Sequence, residues 1–163
     1  MMPPLYTLVL AKEDFKFSTA HFTLFGPEEA EWLHGHNYNV RVELTGETLD
    51  EEGLLADIAE IKKVIRRLCE DLDSKTLFPS DSTHLVIEHK DGGYWVECMG
   101  RSYRIPEEDV VVLPLVNTSI ELLARWFWEQ LAAEIERGHL TAMSVEVAET
   151  AGQSCSYRAA LPA

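Results

Sequence analysis

His34-Gly35-His36-Asn37-Tyr38-Asn39-Val40-Arg41-Val42-Glu43-Leu44 is the stretch on which the fold turns. Tyr38, Val40, Val42 and Leu44 alternate with Asn37, Asn39, Arg41 and Glu43, a period of two that predicts a half-buried strand. The pattern places it over residues 35–47 and stops it at Gly46. At its start, His34 and His36 stand at i and i+2, so on a strand both rings point to one face, close enough to share an ion. Gly35 between them leaves the opposite face open.

Working outward, residues 5–21 read as a preceding strand, with Phe15 and Phe17 alternating with Lys16 and Ser18 as far as Thr19. His21 closes that run, 13 residues before His34. Pairing of the two strands brings it to the same pocket. Three neutral imidazoles leave one tetrahedral position free, which is the pattern of a catalytic zinc rather than a structural one. Such a zinc polarises a carbonyl or enediol oxygen, or lowers the pKa of bound water to about 7. An isolated histidine is more often a surface or satisfied core residue, and His84, His89 and His139, which lack this spacing, are assigned structural roles. Between the strands lie Gly26, Pro27 and the acids Glu28, Glu29 and Glu31, which read as a loop.

Downstream, Ile58, Ile61, Ile65, Leu68 and Leu72 fall on one face of a helix over residues 57–72. Asp57 is its predicted N-cap, with Glu60 as capping-box partner. Pro79 and the polar run after it end this unit. Residues 84–105 predict a hairpin around Asp91-Gly92-Gly93, with a third short strand over Ser102 to Ile105. Another apolar strand covers 110–116, a second helix runs from about 118 to 137 with Gly138 ending it, and residues 141–149 and 154–161 pair around Gly152. Two helices on one face of an antiparallel sheet make an α+β domain over residues 1–163, with an insert at about 80–112.

Bulk properties narrow the function. Hydrophobic residues make up 46% and charged residues 26% of the 163, a folded-domain profile. No apolar run reaches the roughly 20 residues that span a bilayer, and the N-terminus carries no basic signal-peptide region. The three cysteines, Cys69, Cys98 and Cys155, are odd in number and widely spaced, which predicts free thiols and a cytoplasmic setting. A net charge of −14 repels phosphate backbones and argues against a nucleic-acid partner.

Phe17-Ser18-Thr19-Ala20-His21, followed by Leu33-His34-Gly35-His36-Asn37-Tyr38, resembles the 6-pyruvoyltetrahydropterin synthase and 6-carboxytetrahydropterin synthase family. The likeness continues through Gly53-Leu54-Leu55-Ala56-Asp57-Ile58, Thr118-Ser119-Ile120-Glu121-Leu122-Leu123-Ala124, Glu149-Thr150 and Tyr157-Arg158. It implies a tunnelling fold, in which copies of the chain join their sheets into an oligomeric barrel with active sites at subunit interfaces. It also implies zinc on His21, His34 and His36, and a pterin substrate anchored by Glu149, with Ser119 and Glu121 as additional contacts. A carboxylate suits that anchoring because it accepts two hydrogen bonds from an amino-pyrimidine edge. Thr118-x-x-Glu121 reads equally well as a capping box.

The pattern departs from the family at two places. The usual catalytic cysteine, four residues before the first histidine of the pair, is Ala30 here. The usual Asp-His pair after the first helix is Asp73-Ser74. A carboxylate can take over proton transfer, which makes Glu31 the candidate base or acid, with Asp73 as its partner. One subgroup of the family is similar in carrying glutamate for the cysteine, and that implies cleavage of the pterin side chain, although Glu31 is offset by one position. His84 and Cys155 are further stand-ins without motif support. The expected function is therefore zinc-dependent lyase chemistry on the C6 side chain of a reduced pterin. The alternatives are a zinc-containing pterin-binding protein without turnover and a metal enzyme acting on a purine-like heterocycle.

Overall fold

The alternating stretch folds as a long strand, β3 (His34–Gly46), which is the hub of the molecule. The computed structural model describes residues 1–163. Tyr38, Val40, Val42 and Leu44 are buried on one face of β3, while Asn37, Asn39 and Arg41 stay exposed on the other.

The upstream run is two strands where the pattern predicts one. β1 (Tyr6–Leu10) and β2 (Lys16–His21) are separated by a turn in which Phe15 N–H donates to Lys12 C=O. β1 then pairs with the second half of β3 and β2 with the first half, both antiparallel. On the other side of β3 lie β9 (Leu140–Thr150) and, beyond it, β10 (Gln153–Ala160). β4 (Lys75–Pro79) runs parallel to β2, and β8 (Val110–Leu113) parallel to β4. These parallel pairs extend an otherwise antiparallel sheet of seven strands. β4 carries no alternation to read, because Thr76, Leu77, Phe78 and Pro79 are all buried, as expected for a strand covered on both faces.

Two helices pack on the β3 core face. α1 (Ile58–Leu72) buries Ile61, Ile65, Leu68 and Leu72. Asp57 caps it through the N–H groups of Ala59 and Glu60, as predicted, but the Glu60 carboxylate pairs with Lys63 rather than closing a capping box. α2 (Ile120–Glu134) ends at Ile135, which is already extended, short of Gly138. Its N-cap is Ser119, not Thr118. The Thr118 hydroxyl instead turns toward the end of β2, where it donates to Phe22 C=O.

The segment set apart as an insert forms a separate antiparallel sheet, β5 (Val86–Lys90), β6 (Gly93–Cys98) and β7 (Arg101–Pro106). It closes over a cluster of seven buried residues that includes Phe22, Leu24, Phe78 and Val96. The main cluster, of 25 buried residues, joins β3, β9 and both helices. With about 1.5–3 kcal/mol from each fully buried large side chain, the larger cluster dominates the stability of the histidine-bearing strands. No helix is long and apolar enough to cross a membrane.

Candidate functional site

The β2–β3 register sets His21 opposite His34 and Thr19 opposite His36. Antiparallel partners share a face, so the three rings meet at the end of the ladder, with centroids 4.9 Å (His21–His34), 5.5 Å (His21–His36) and 4.7 Å (His34–His36) apart. One ring nitrogen from each lies within 4.8 Å of the other two.

Backbone carbonyls settle the tautomers of two rings. His21 Nδ1 donates to Thr118 C=O at 2.9 Å, and His34 Nδ1 donates to Trp32 C=O at 2.6 Å. A carbonyl can only accept, so each Nδ1 bears the proton and each Nε2 presents a lone pair to the centre. His34 Nε2 lies 2.9 Å from His36 Nε2. His21 Nε2 is buried and has no hydrogen-bond partner. Leaving such an atom unsatisfied costs about 1–3 kcal/mol, a cost that a cation at the centre removes. Burial, reinforced by the neighbouring His34, lowers the His21 pKa to about 4, so its neutral, ligating form prevails near pH 7. Three convergent imidazoles, two with their outer nitrogens on carbonyls, are a donor set that fits zinc with one open position.

Two carboxylates border the cluster. Glu31 Oε2 lies 3.7 Å from His34 Nε2 and accepts from Thr23 N–H at 2.9 Å. Burial acts to raise the Glu31 pKa, but the hydrogen bonds from Thr23 outweigh it, and the net shift is downward. The acidic run is not a featureless loop. Glu31 N–H bonds Thr23 C=O, Phe25 N–H bonds Glu29 C=O, and Leu24 bridges Ala30. Side chains alternate along this extended segment. Ala30 therefore packs against the seven-residue cluster, and Glu31 is the one that reaches the histidines. Glu149 Oε2 lies 3.6 Å from His36 Nε2, and its other oxygen accepts from the Gln153 side chain.

The remaining candidates lie elsewhere. Asp73 accepts from Ser18 N–H at 2.7 Å and follows α1 as its C-cap, tying helix to strand instead of joining the histidines. The Ser119 hydroxyl accepts from Leu122 N–H, and Glu121 is exposed on the first turn of α2. His89 pairs with Glu107 and His139 with Thr48, as structural residues do. Burial pushes the Cys69 thiol up to about 12, so it is inert. Neither His84 nor Cys155 belongs to the histidine group.

Several supporting residues went unread in the sequence. Asn117 clamps Leu24 through both its N–H and its C=O, and Thr118 holds His21 and Phe22. Tyr38 stacks on Phe17 at 4.8 Å and turns its ring edge-on to His21 and His36, its buried hydroxyl without a partner. Burial raises its pKa, with Glu149 and Glu31 adding to the effect, so it stays a neutral phenol. A shallow polar cleft of about 560 Å³ is bordered by Ser18, Ala20, Gly35, Asn37 and Lys75, mostly on the sheet face opposite the imidazoles, and of the candidate residues only His36 touches it. A larger groove, about 1140 Å³, lies between β1, the 49–57 loop, the start of α1 and the end of α2, and none of the candidate residues lines it.

Residues 10–160 match the family described as 6-pyruvoyl tetrahydropterin synthase. A Methanocaldococcus jannaschii protein described as a candidate 6-carboxy-5,6,7,8-tetrahydropterin synthase is 32% identical over 146 residues, covering 88% of this chain and 89% of its own. The crystal structure of 6-pyruvoyl tetrahydropterin synthase from Plasmodium vivax superposes with a TM-score of 0.90 at 28% identity, covering 96% of this chain and 99% of that one. The Plasmodium falciparum enzyme gives 0.89 at 25% identity, covering 96% and 98%. For the P. vivax protein, a glutamate identified as a catalytic residue has been replaced by alanine and by cysteine in further structures.

Proposed function

The chain belongs to the 6-pyruvoyl tetrahydropterin synthase family, a family of lyase-type enzymes with the tunnelling fold, and from that premise we propose that it is a zinc-dependent lyase acting on the C6 side chain of a reduced pterin. The observation that carries the reading is the Glu31 carboxylate 3.7 Å from His34 Nε2, beside three convergent imidazoles.

His21, His34 and His36 would hold the metal. Zinc, when bound there, supplies a Lewis acid that makes side-chain hydroxyl and neighbouring C–H protons easier to remove. The rest falls to the protein. Glu31 is the proton-transferring group. Its N–H bond from Thr23 fixes one oxygen and favours the ionised form, which is the form a general base needs. Glu149 orients the ring by accepting N–H bonds from its amino-pyrimidine edge. Ser119 and Glu121, at the start of α2, contribute contacts farther out. Asp73 acts through Ser18, holding β2 in register. A glutamate as catalytic residue in the P. vivax protein supports reading Glu31 in the same role.

The same reading has copies of the chain joining edge to edge. β10 ends the sheet order, so its outer edge is free to receive a strand. The binding-only alternative rests on Ala30 and Ser74 replacing the cysteine and histidine of the usual relay.

Turnover of dihydroneopterin and its triphosphate, followed by separating the fluorescent oxidised products, tests the proposal. Glu31→Gln is expected to lower kcat by about 100-fold, within the range for losing a general base, with zinc content unchanged. Parental turnover in that variant removes Glu31 from the mechanism. Intact pterin binding with no turnover in the parent favours the binding protein.

A further inference from the structure

We infer that Arg101 is a positioning residue through which the β5–β7 sheet sets the geometry of Glu31 and His34; this rests on the reading of those two residues given above. Arg101 opens β7, some 70 residues from the loop it touches. Its Nη1 donates to Glu31 C=O at 2.9 Å and its Nη2 to Ala30 C=O at 3.3 Å. The same guanidinium lies over the Trp32 ring, 4.7 Å from the centroid. One planar group thus fastens three consecutive residues. Each has a consequence at the centre: Glu31 carries the carboxylate, Ala30 keys that segment into the apolar cluster, and Trp32 supplies the carbonyl that fixes the His34 tautomer.

The strut behind Arg101 is stiff. Cys98 and Arg101 face each other across a two-residue turn in which Met99 and Gly100 both have positive φ, 50° and 77°. That is the turn type whose twist matches a hairpin. Cys98 and Val96, just before it, are anchored in the buried cluster under the sheet. Trp32 itself is 78% exposed, so its own burial cannot hold the loop. Lysine is a poor replacement here, because a single ammonium cannot span two carbonyls and stack flat on an indole at once.

Arg101→Ala and Arg101→Lys test this, with Arg104→Ala as control. Arg104 lies on the same strand but stacks on Trp95 within the small sheet. Zinc affinity is read by competition with a chromophoric chelator, and His34 ring geometry by the ¹⁵N shift of Nδ1. Both Arg101 variants are expected to bind zinc roughly tenfold more weakly, the cost typical of an outer-shell partner, and to move the His34 shift. Arg104→Ala should match the parent in both. Parental affinity and shifts in Arg101→Lys overturn the inference, as does an equal loss in Arg104→Ala. Arg101→Lys retains the charge and decides the question if Arg101→Ala fails to fold. The shift is read with or without metal. A parent that binds no zinc or turns over no pterin therefore sinks the proposed function and leaves this test standing.

Discussion

His21 and His34 face each other across the same ladder and present the same atom to the same point, yet the molecule holds them in opposite ways. His21 is 1% exposed, and its carbonyl partner belongs to Thr118, itself fully buried and bonded back to Phe22. The His34 side chain is 36% exposed, and its carbonyl partner belongs to Trp32, on a surface loop. One wall of the centre is an outgrowth of the hydrophobic core. The other is a loop propped from outside by a separate small sheet. Core packing makes the first wall rigid with few alternatives. The second depends on Arg101 and the small sheet for its position, and it is the wall that carries the candidate base.

Ligand removal should break this symmetry most strongly. His21→Ala and His34→Ala are each expected to lower zinc affinity by more than the roughly 10–100-fold typical of outer partners. Only His21→Ala should also cost about 2–3 kcal/mol in urea unfolding of the metal-free protein, because only it empties a packed site. Equal stability losses would mean that the two walls do not differ. A smaller effect is expected from Thr118→Val, which keeps the carbonyl but leaves the buried Phe22 C=O without its hydroxyl donor. It should destabilise by about 1–3 kcal/mol, with a modest weakening of zinc binding read by chelator competition. The smallest effect is expected from Asp73→Asn. Its amide oxygen can still accept from Ser18 N–H, so stability should fall by less than about 1 kcal/mol and zinc affinity should hold. A collapse of pterin turnover in that variant would instead give Asp73 a chemical role.

The same contrast marks what the residues alone could reveal. The alternation in β3, the apolar face of α1 and its Asp57 cap were all legible, because each is a local periodicity or a local side-chain bond. The meeting of three histidines followed from strand pairing. β4 was not legible, since a strand buried on both faces does not alternate. The turn at Lys12–Phe15 was missed although Lys12-Glu13-Asp14 interrupts the apolar rhythm and the buried positions change phase from Leu10 to Phe15 and Phe17. The supports of the site were hidden for another reason. The groups that orient His21 and His34 are main-chain carbonyls, which every residue possesses, and Arg101 reaches its loop only through the tertiary fold. Thr118 and Tyr38 stood inside the quoted motifs, but their local roles as cap and core residue masked their place beside the imidazoles.

X-ray absorption at the zinc edge of the purified, zinc-loaded protein addresses the central claim most directly. Three imidazole nitrogens and one further light atom at about 2.0–2.2 Å are predicted, with one imidazole lost in His36→Ala. A sulfur shell at about 2.3 Å, or scattering from fewer than three imidazoles, would contradict the account.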